Sequence, residues 1–144
     1  MKTISIICQK GGVGKTTTVV NIASVFSKLG YKTLIIDLDP QGNVSTYLNY
    51  DKMSENHTDS IDLLEKKESI QPGQISENLD ILSSNTEIAK FNEEKIVGGS
   101  KLQQAFRHIK FKEYQIILID TPPTMSSLVQ EALAVSDYYL IPAK

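Results

Sequence analysis

The chain has 144 residues, 40% of them hydrophobic and 22% charged. That suits one folded domain burying roughly two-thirds of its unfolded surface, and it excludes a disordered chain. Fifteen basic residues against seventeen acidic leave a net charge of -2, and Arg107 is the one arginine, so the arginine-rich basic stripe of a nucleic-acid binder is missing.

A single cysteine, Cys8, excludes an internal disulfide and a multi-cysteine metal site. No apolar run approaches the roughly 20 residues that span a bilayer. Met1 to Lys10 leave no room for an apolar leader, so a cytoplasmic chain is expected.

In chain order, an apolar strand is expected over Thr3 to Cys8, then a glycine-rich loop, then a helix carrying Ile22, Val25, Phe26 and Leu29 at i, i+3, i+4 and i+7. Gly30 is its C-terminal stop. A second strand over Thr33 to Asp37 follows, and a short helix from Thr58 or Asp59 that ends before Pro72-Gly73. Leu79 to Ser83 is the third strand, and residues 87–100 read as helix plus loop. The pattern Leu102, Ala105, Phe106, Ile109 predicts another helix before a strand over Gln115 to Asp120. Met125, Leu128, Val129, Ala132 and Leu133 predict the last helix, and Tyr138 to Pro142 the last strand. Continuous apolar strands alternating with helices specify an α/β fold with a doubly wound, mostly parallel sheet and helices on both faces.

The strongest chemical signal is Lys10-Gly11-Gly12-Val13-Gly14-Lys15-Thr16-Thr17, between the first strand and the first helix. Its glycines let successive backbone N–H groups turn inward as an anion nest, and the helix that follows points its positive end at the same anion. Lys15 can reach the β- and γ-phosphates of a nucleotide, the Thr16 hydroxyl can ligate Mg²⁺, and Thr17 can donate to the α-phosphate. Two further loops leave strand ends, where parallel sheets bind ligands. Asp37-Leu38-Asp39-Pro40-Gln41-Gly42-Asn43 offers carboxylates that either orient a water and hold a metal shell or cap the turn before Pro40. Ile116 to Ile119 followed by Asp120 has the pattern of a metal-binding Walker B strand.

The loop departs from the common G-x-x-x-x-G-K-[ST] pattern: Gln9 stands where glycine is usual, and Lys10 is extra. These residues resemble the deviant Walker A ATPases, the ParA/MinD family. Asp-Leu-Asp-Pro-Gln-Gly-Asn after the second strand is similar to its partition branch, ParA or Soj. The resemblance implies a P-loop NTPase fold, ATP and Mg²⁺ as cofactors, and an ATP-dependent homodimer. It makes Lys10 a residue acting in trans on the partner's nucleotide, and Asp39 the residue that positions the hydrolytic water. Residues 11–17 would bind nucleotide, and Thr16, Asp39 and Asp120 would serve the metal. Asp120-Thr121-Pro122-Pro123 resembles the family's second switch.

In the family a ParB-type adaptor stimulates hydrolysis, and the ATP dimer binds DNA non-specifically. Independent DNA binding is not expected of these residues. A MinD-like membrane cycle is disfavoured by the Asp39-Pro40-Gln41-Gly42 loop and the lack of a C-terminal amphipathic helix. The sequence stops two residues after Pro142, directly after a strand, and is read as a domain over 1–144 that lacks the family's C-terminal part. Truncation leaves open a fragment that binds nucleotide, or pairs with a full-length relative, without turnover.

The remaining candidates are structural. His57 and His108 read as surface or satisfied side chains, Lys66-Lys67 and Lys110 with Lys112 as solvated helix faces, and Cys8 as a buried thiol.

Overall fold

The computed structural model describes residues 1–53, 56–108 and 110–143, and the side chains of all of these but His108 and Lys110. Among them lie strands β1 (Lys2–Ile6), β2 (Thr33–Asp37), β3 (Gly73–Ser76), β4 (Leu79–Leu82), β5 (Ile116–Asp120) and β6 (Tyr138–Leu140). The helices are α1 (Lys15–Lys28), α2 (Asn43–Tyr47), α3 (Ser60–Leu64), α4 (Lys101–His108) and α5 (Ser127–Val135). Thr86–Phe91 forms a 3-10 turn where the sequence pattern predicts helix plus loop, and residues 92–99 are irregular.

The sheet runs in the order β3-β4-β2-β5-β1-β6, parallel throughout except for the β3–β4 pair. From β1 the chain crosses β5 to reach β2, and from β5 it crosses β1 in the other direction to reach β6. Because such crossovers are right-handed, opposite directions put their helices on opposite faces. The side chains agree. Leu34 and Ile36 of β2 and Ile117 and Ile119 of β5 pack with Leu128 and Ala132 of α5, whereas Ile35, Ile116 and Leu118 pack with Val19 and Ala23 of α1. The sheet is thus doubly wound, as the strand pattern requires.

Several local expectations are corrected. The buried face of α1 is Lys15, Val19 and Ala23, while Val25 and Leu29 of the expected stripe are exposed. Met125 precedes α5 and is exposed, because Ser126 is that helix's N-cap. Cys8 lies two residues beyond β1 and is only half-buried. Lys66 and Lys67 stand beyond the end of α3, where Lys67 pairs with Asp62. Ile109 and the His108 and Lys110 side chains lie outside what is described. The short helix starts where expected, with Asp59 as N-cap accepting from the Ile61 and Asp62 amides in a capping box. Its neighbour His57 is satisfied by the Tyr50 hydroxyl, 3.1 Å from Nδ1.

Candidate functional site

The glycine-rich loop joins β1 to α1 at the C-terminal edge of the sheet. Gly14 is the N-cap of α1 in left-handed geometry (φ 86°), and Gly12 also has positive φ (75°). Such backbone suits glycine and turns the loop's amides toward the helix end. A cleft of about 270 Å³ opens there. Residues 11–17, that is Gly11, Gly12, Val13, Gly14, Lys15, Thr16 and Thr17, all line it. Asp39, Gln41, Asn43, Tyr47 and Pro123 complete it. Lys15 is only 8% exposed. Lys10 is exposed and is not among the residues that line the cleft.

Strand periodicity places the carboxylates. Side chains alternate between faces, so Asp37 follows Ile35, and Asp120 follows Leu118, on the α1 side of the sheet. The two are register partners at the ends of β2 and β5. The Thr16 hydroxyl donates to Asp120 Oδ2 at 2.7 Å. Asp37 Oδ1 accepts from the Asp39 amide and Asp39 Oδ1 from the Gln41 amide, each at 3.0 Å. Turn capping therefore occupies one oxygen of each aspartate. Asp37 Oδ2 and Asp120 Oδ1 are buried with no hydrogen-bond partner among the described residues.

Burial, with the facing Asp120 charge second, pushes the Asp37 carboxyl well above its ordinary range. Asp120 is pushed up to about 6, chiefly by burial. The Thr16 hydrogen bond opposes this, the Asp39 charge adds to it, and the Lys15 ammonium opposes it. Two orphaned carboxylate oxygens beside one hydroxyl make a hard, oxygen-only donor set. Among the described residues no three His, Cys, Asp or Glu side chains gather to hold an ion unaided. A cation here would take its remaining ligands from water or phosphate, which suits Mg²⁺ better than Ca²⁺ or Zn²⁺.

The AAA domain family profile matches residues 1–144. The chain is 34% identical over 152 residues to the sporulation initiation inhibitor protein Soj of Bacillus subtilis, covering 99% of this chain and 58% of Soj. It belongs to the ParA/Soj branch of the ParA/MinD family. A Borrelia burgdorferi protein assigned to plasmid partition, solved bound to AMPPNP, superposes with a TM-score of 0.87 at 30% identity, over 98% of this chain and 62% of that one. Cobyrinic acid a,c-diamide synthase of Mycobacterium smegmatis, solved with ADP and magnesium, gives 0.86 at 26% identity over 99% and 60%. The chain spans 55% to 59% of the length of the first curated relatives it matches.

Within this ParA/Soj framework the cleft holds residues that motif reading passes over. Asn43 and Tyr47 lie on α2, a single turn with no hydrophobic period to announce it. Sequence alone leaves Asp37 between two roles, and its orphaned oxygen is visible only once β2 and β5 are paired.

Proposed function

We propose that this chain is the nucleotide-binding part of an ATP-hydrolysing, dimerising switch of the ParA/Soj type that serves plasmid or chromosome partitioning. The observation that carries the reading is the Thr16–Asp120 hydrogen bond: Thr16 lines the glycine-walled cleft, and Asp120, fully buried and not itself part of the lining, stands behind it. The bond joins the phosphate loop to the end of β5 at the point where a triphosphate and its cation would meet. The nucleotides bound by the Borrelia protein and the synthase support ATP as the ligand.

In this reading the amides of residues 11–17 and the Lys15 ammonium neutralise the phosphate tail. Thr16 and Asp120 would hold Mg²⁺, Thr16 as a direct ligand, with Asp39 serving it through water. When bound, Mg²⁺ would supply positive charge against the negative charge that grows on the phosphate oxygens. Asp39 orients a water in line with the γ-phosphorus, whose bond to the bridging oxygen then breaks to give ADP and inorganic phosphate. Lys10, outside its own cleft, serves the nucleotide of a second copy, as an arginine finger does elsewhere. Turnover then waits on dimerisation. A ParB-type adaptor as activator, and non-specific DNA as the substrate of the longer relatives, belong to the same proposal.

The exposed Lys10 also favours a second reading, in which these residues bind nucleotide without turning it over. One experiment separates the two. Calorimetry with ATP·Mg²⁺ should give binding that Lys15→Ala abolishes, and phosphate release should then be lost in Asp39→Ala while binding persists. No binding by the folded wild type would overturn both readings. Binding without release favours the second.

A further inference from the structure

Helix α2 is held from behind. Gly42, its N-cap (φ 62°), lies so close to the Ser84 carbonyl beyond β4 that an added Cβ would come within 2.6 Å of that oxygen. Lys52 Nζ donates to the same carbonyl at 2.7 Å, and Ser45 Oγ donates to Gly42 O at 2.9 Å. Val44 is buried and Leu48 packs beside it in the α1-side core. Residues four apart share a helix face. Val44 and Leu48 therefore fix the inner face, and Asn43 and Tyr47 share another, the one that lines the cleft.

Among the described residues Tyr47 is the cleft's one aromatic side chain and its bulkiest. It is 62% exposed, and among those residues its hydroxyl has no protein partner. Nothing in the chain's own core requires an aromatic ring there. The phosphate loop lines the same cleft, and there Gly11 has open space around the position of a Cβ. A cleft lined by one aromatic ring and by bare glycine backbone has room for a flat or chain-like anion.

We propose that Tyr47 is a positioning residue that covers a nucleoside triphosphate bound in this cleft. Its ring lies along the sugar-phosphate chain and its hydroxyl donates to a phosphate oxygen. The inference rests on the proposed nucleotide site and names a residue of that site that no motif assigns. It also gives Asn43 a role as the amide beside the same phosphates.

The chain has no tryptophan, so Tyr47→Trp installs a unique fluorophore in the wall. ATP·Mg²⁺ should shift and quench its emission with saturation, and adding Lys15→Ala should remove the response. Tripolyphosphate with Mg²⁺, which lacks sugar and base, should give a smaller change if the ring lies along the sugar. By calorimetry Tyr47→Ala should bind ATP·Mg²⁺ about tenfold more weakly, and Tyr47→Phe should retain the ring's part of that. Wild-type binding, with Tyr47→Ala unchanged and the indole emission of Tyr47→Trp silent, would overturn this inference alone. Absent wild-type binding would overturn the site itself, and the inference with it.

Discussion

The hydroxyl of Thr16 and the carboxylate of Asp120 meet at 2.7 Å although 104 residues separate them in the chain. The bond ties the second residue of α1 to the last residue of β5, the central strand between β1 and β2. It also aims a hydroxyl and a carboxylate at one point, beside the orphaned second oxygen of Asp120. Replacing Asp120 with asparagine keeps the shape and the bond to Thr16 but removes the charge. Nucleotide affinity measured with and without Mg²⁺ should then lose its dependence on the metal, a weakening of about tenfold to a hundredfold in Mg²⁺ buffer. A variant that still responds to Mg²⁺ as the wild type does would place the cation elsewhere.

The buried pair formed by Asp37 and Asp120 sets a pH dependence of the metal-free protein. Both carboxyls titrate above their ordinary value of 3.8, Asp120 at about 6. Through the window from about pH 4 to 6 the native state therefore holds more protons than the unfolded chain, so stability falls as pH rises. At neutral pH the Asp120 shift corresponds to about 3 kcal/mol against folding. Asp37→Asn removes one of the two charges. Urea unfolding should show it more stable than wild type by about 1–3 kcal/mol at pH 7.5, with the difference shrinking at pH 5. Equal stability at both pH values would mean the pair is hydrated rather than buried.

Glycine substitutions separate the loop's own needs from those of a ligand. Gly14 has φ 86°, so Gly14→Ala should cost about 1–2 kcal/mol of stability through left-handed strain. Gly11 has neither positive φ nor any atom within 4 Å of the place an added methyl would take, so Gly11→Ala should unfold with the wild-type midpoint. If backbone at Gly11 must approach phosphate closely, that variant should nevertheless bind ATP·Mg²⁺ at least about tenfold more weakly. Unimpaired binding by Gly11→Ala would move the phosphates away from this stretch.

The strands that carry the site are legible in the sequence because both their faces are covered. In β2 and β5 every residue is buried, and such strands read as unbroken apolar runs ending in Asp37 and Asp120. Strand β3 is not legible: Gly73-Gln74-Ile75-Ser76 lies at the sheet edge, is mostly polar, and pairs antiparallel with a bulge. Helix α2 escapes because a turn of five residues has no period, and its place is fixed by Gly42 against Ser84 rather than by propensity. In α1 the apolar stripe is half right, since Ile22 and Phe26 pack against the α1-side core. The face that meets the sheet uses the small Ala23 and the stem of Lys15, which hydrophobicity counts little, while Val25 and Leu29 turn outward. The phosphate loop is legible as chemistry, since its residue types and spacing are demanded by the anion. Tyr47 is not, because an exposed aromatic acquires meaning only from the cleft it lines.

A buried acid on α5 supplies the last test. Glu131 sits among Leu128, Val129 and Ala132 on the helix's inward face, a place where an unpaired charge would be costly. Its Oε1 accepts from the Lys101 amide at 3.1 Å and its Oε2 from the Leu102 amide at 3.0 Å, and the Ser100 hydroxyl donates to Oε2 as well. The carboxylate thus caps the N-terminus of α4 from a neighbouring helix and meets the positive end of its dipole. Glu131→Ala leaves two helix amides and a buried hydroxyl without an acceptor and should cost about 2–4 kcal/mol in urea unfolding, with an unchanged denaturant slope. Glu131→Gln keeps the volume but offers one accepting oxygen in place of two, so it should fall about midway. If Glu131→Ala lost less than about 0.5 kcal/mol, water would be satisfying the α4 amides and the carboxylate would not be what holds α4 against α5.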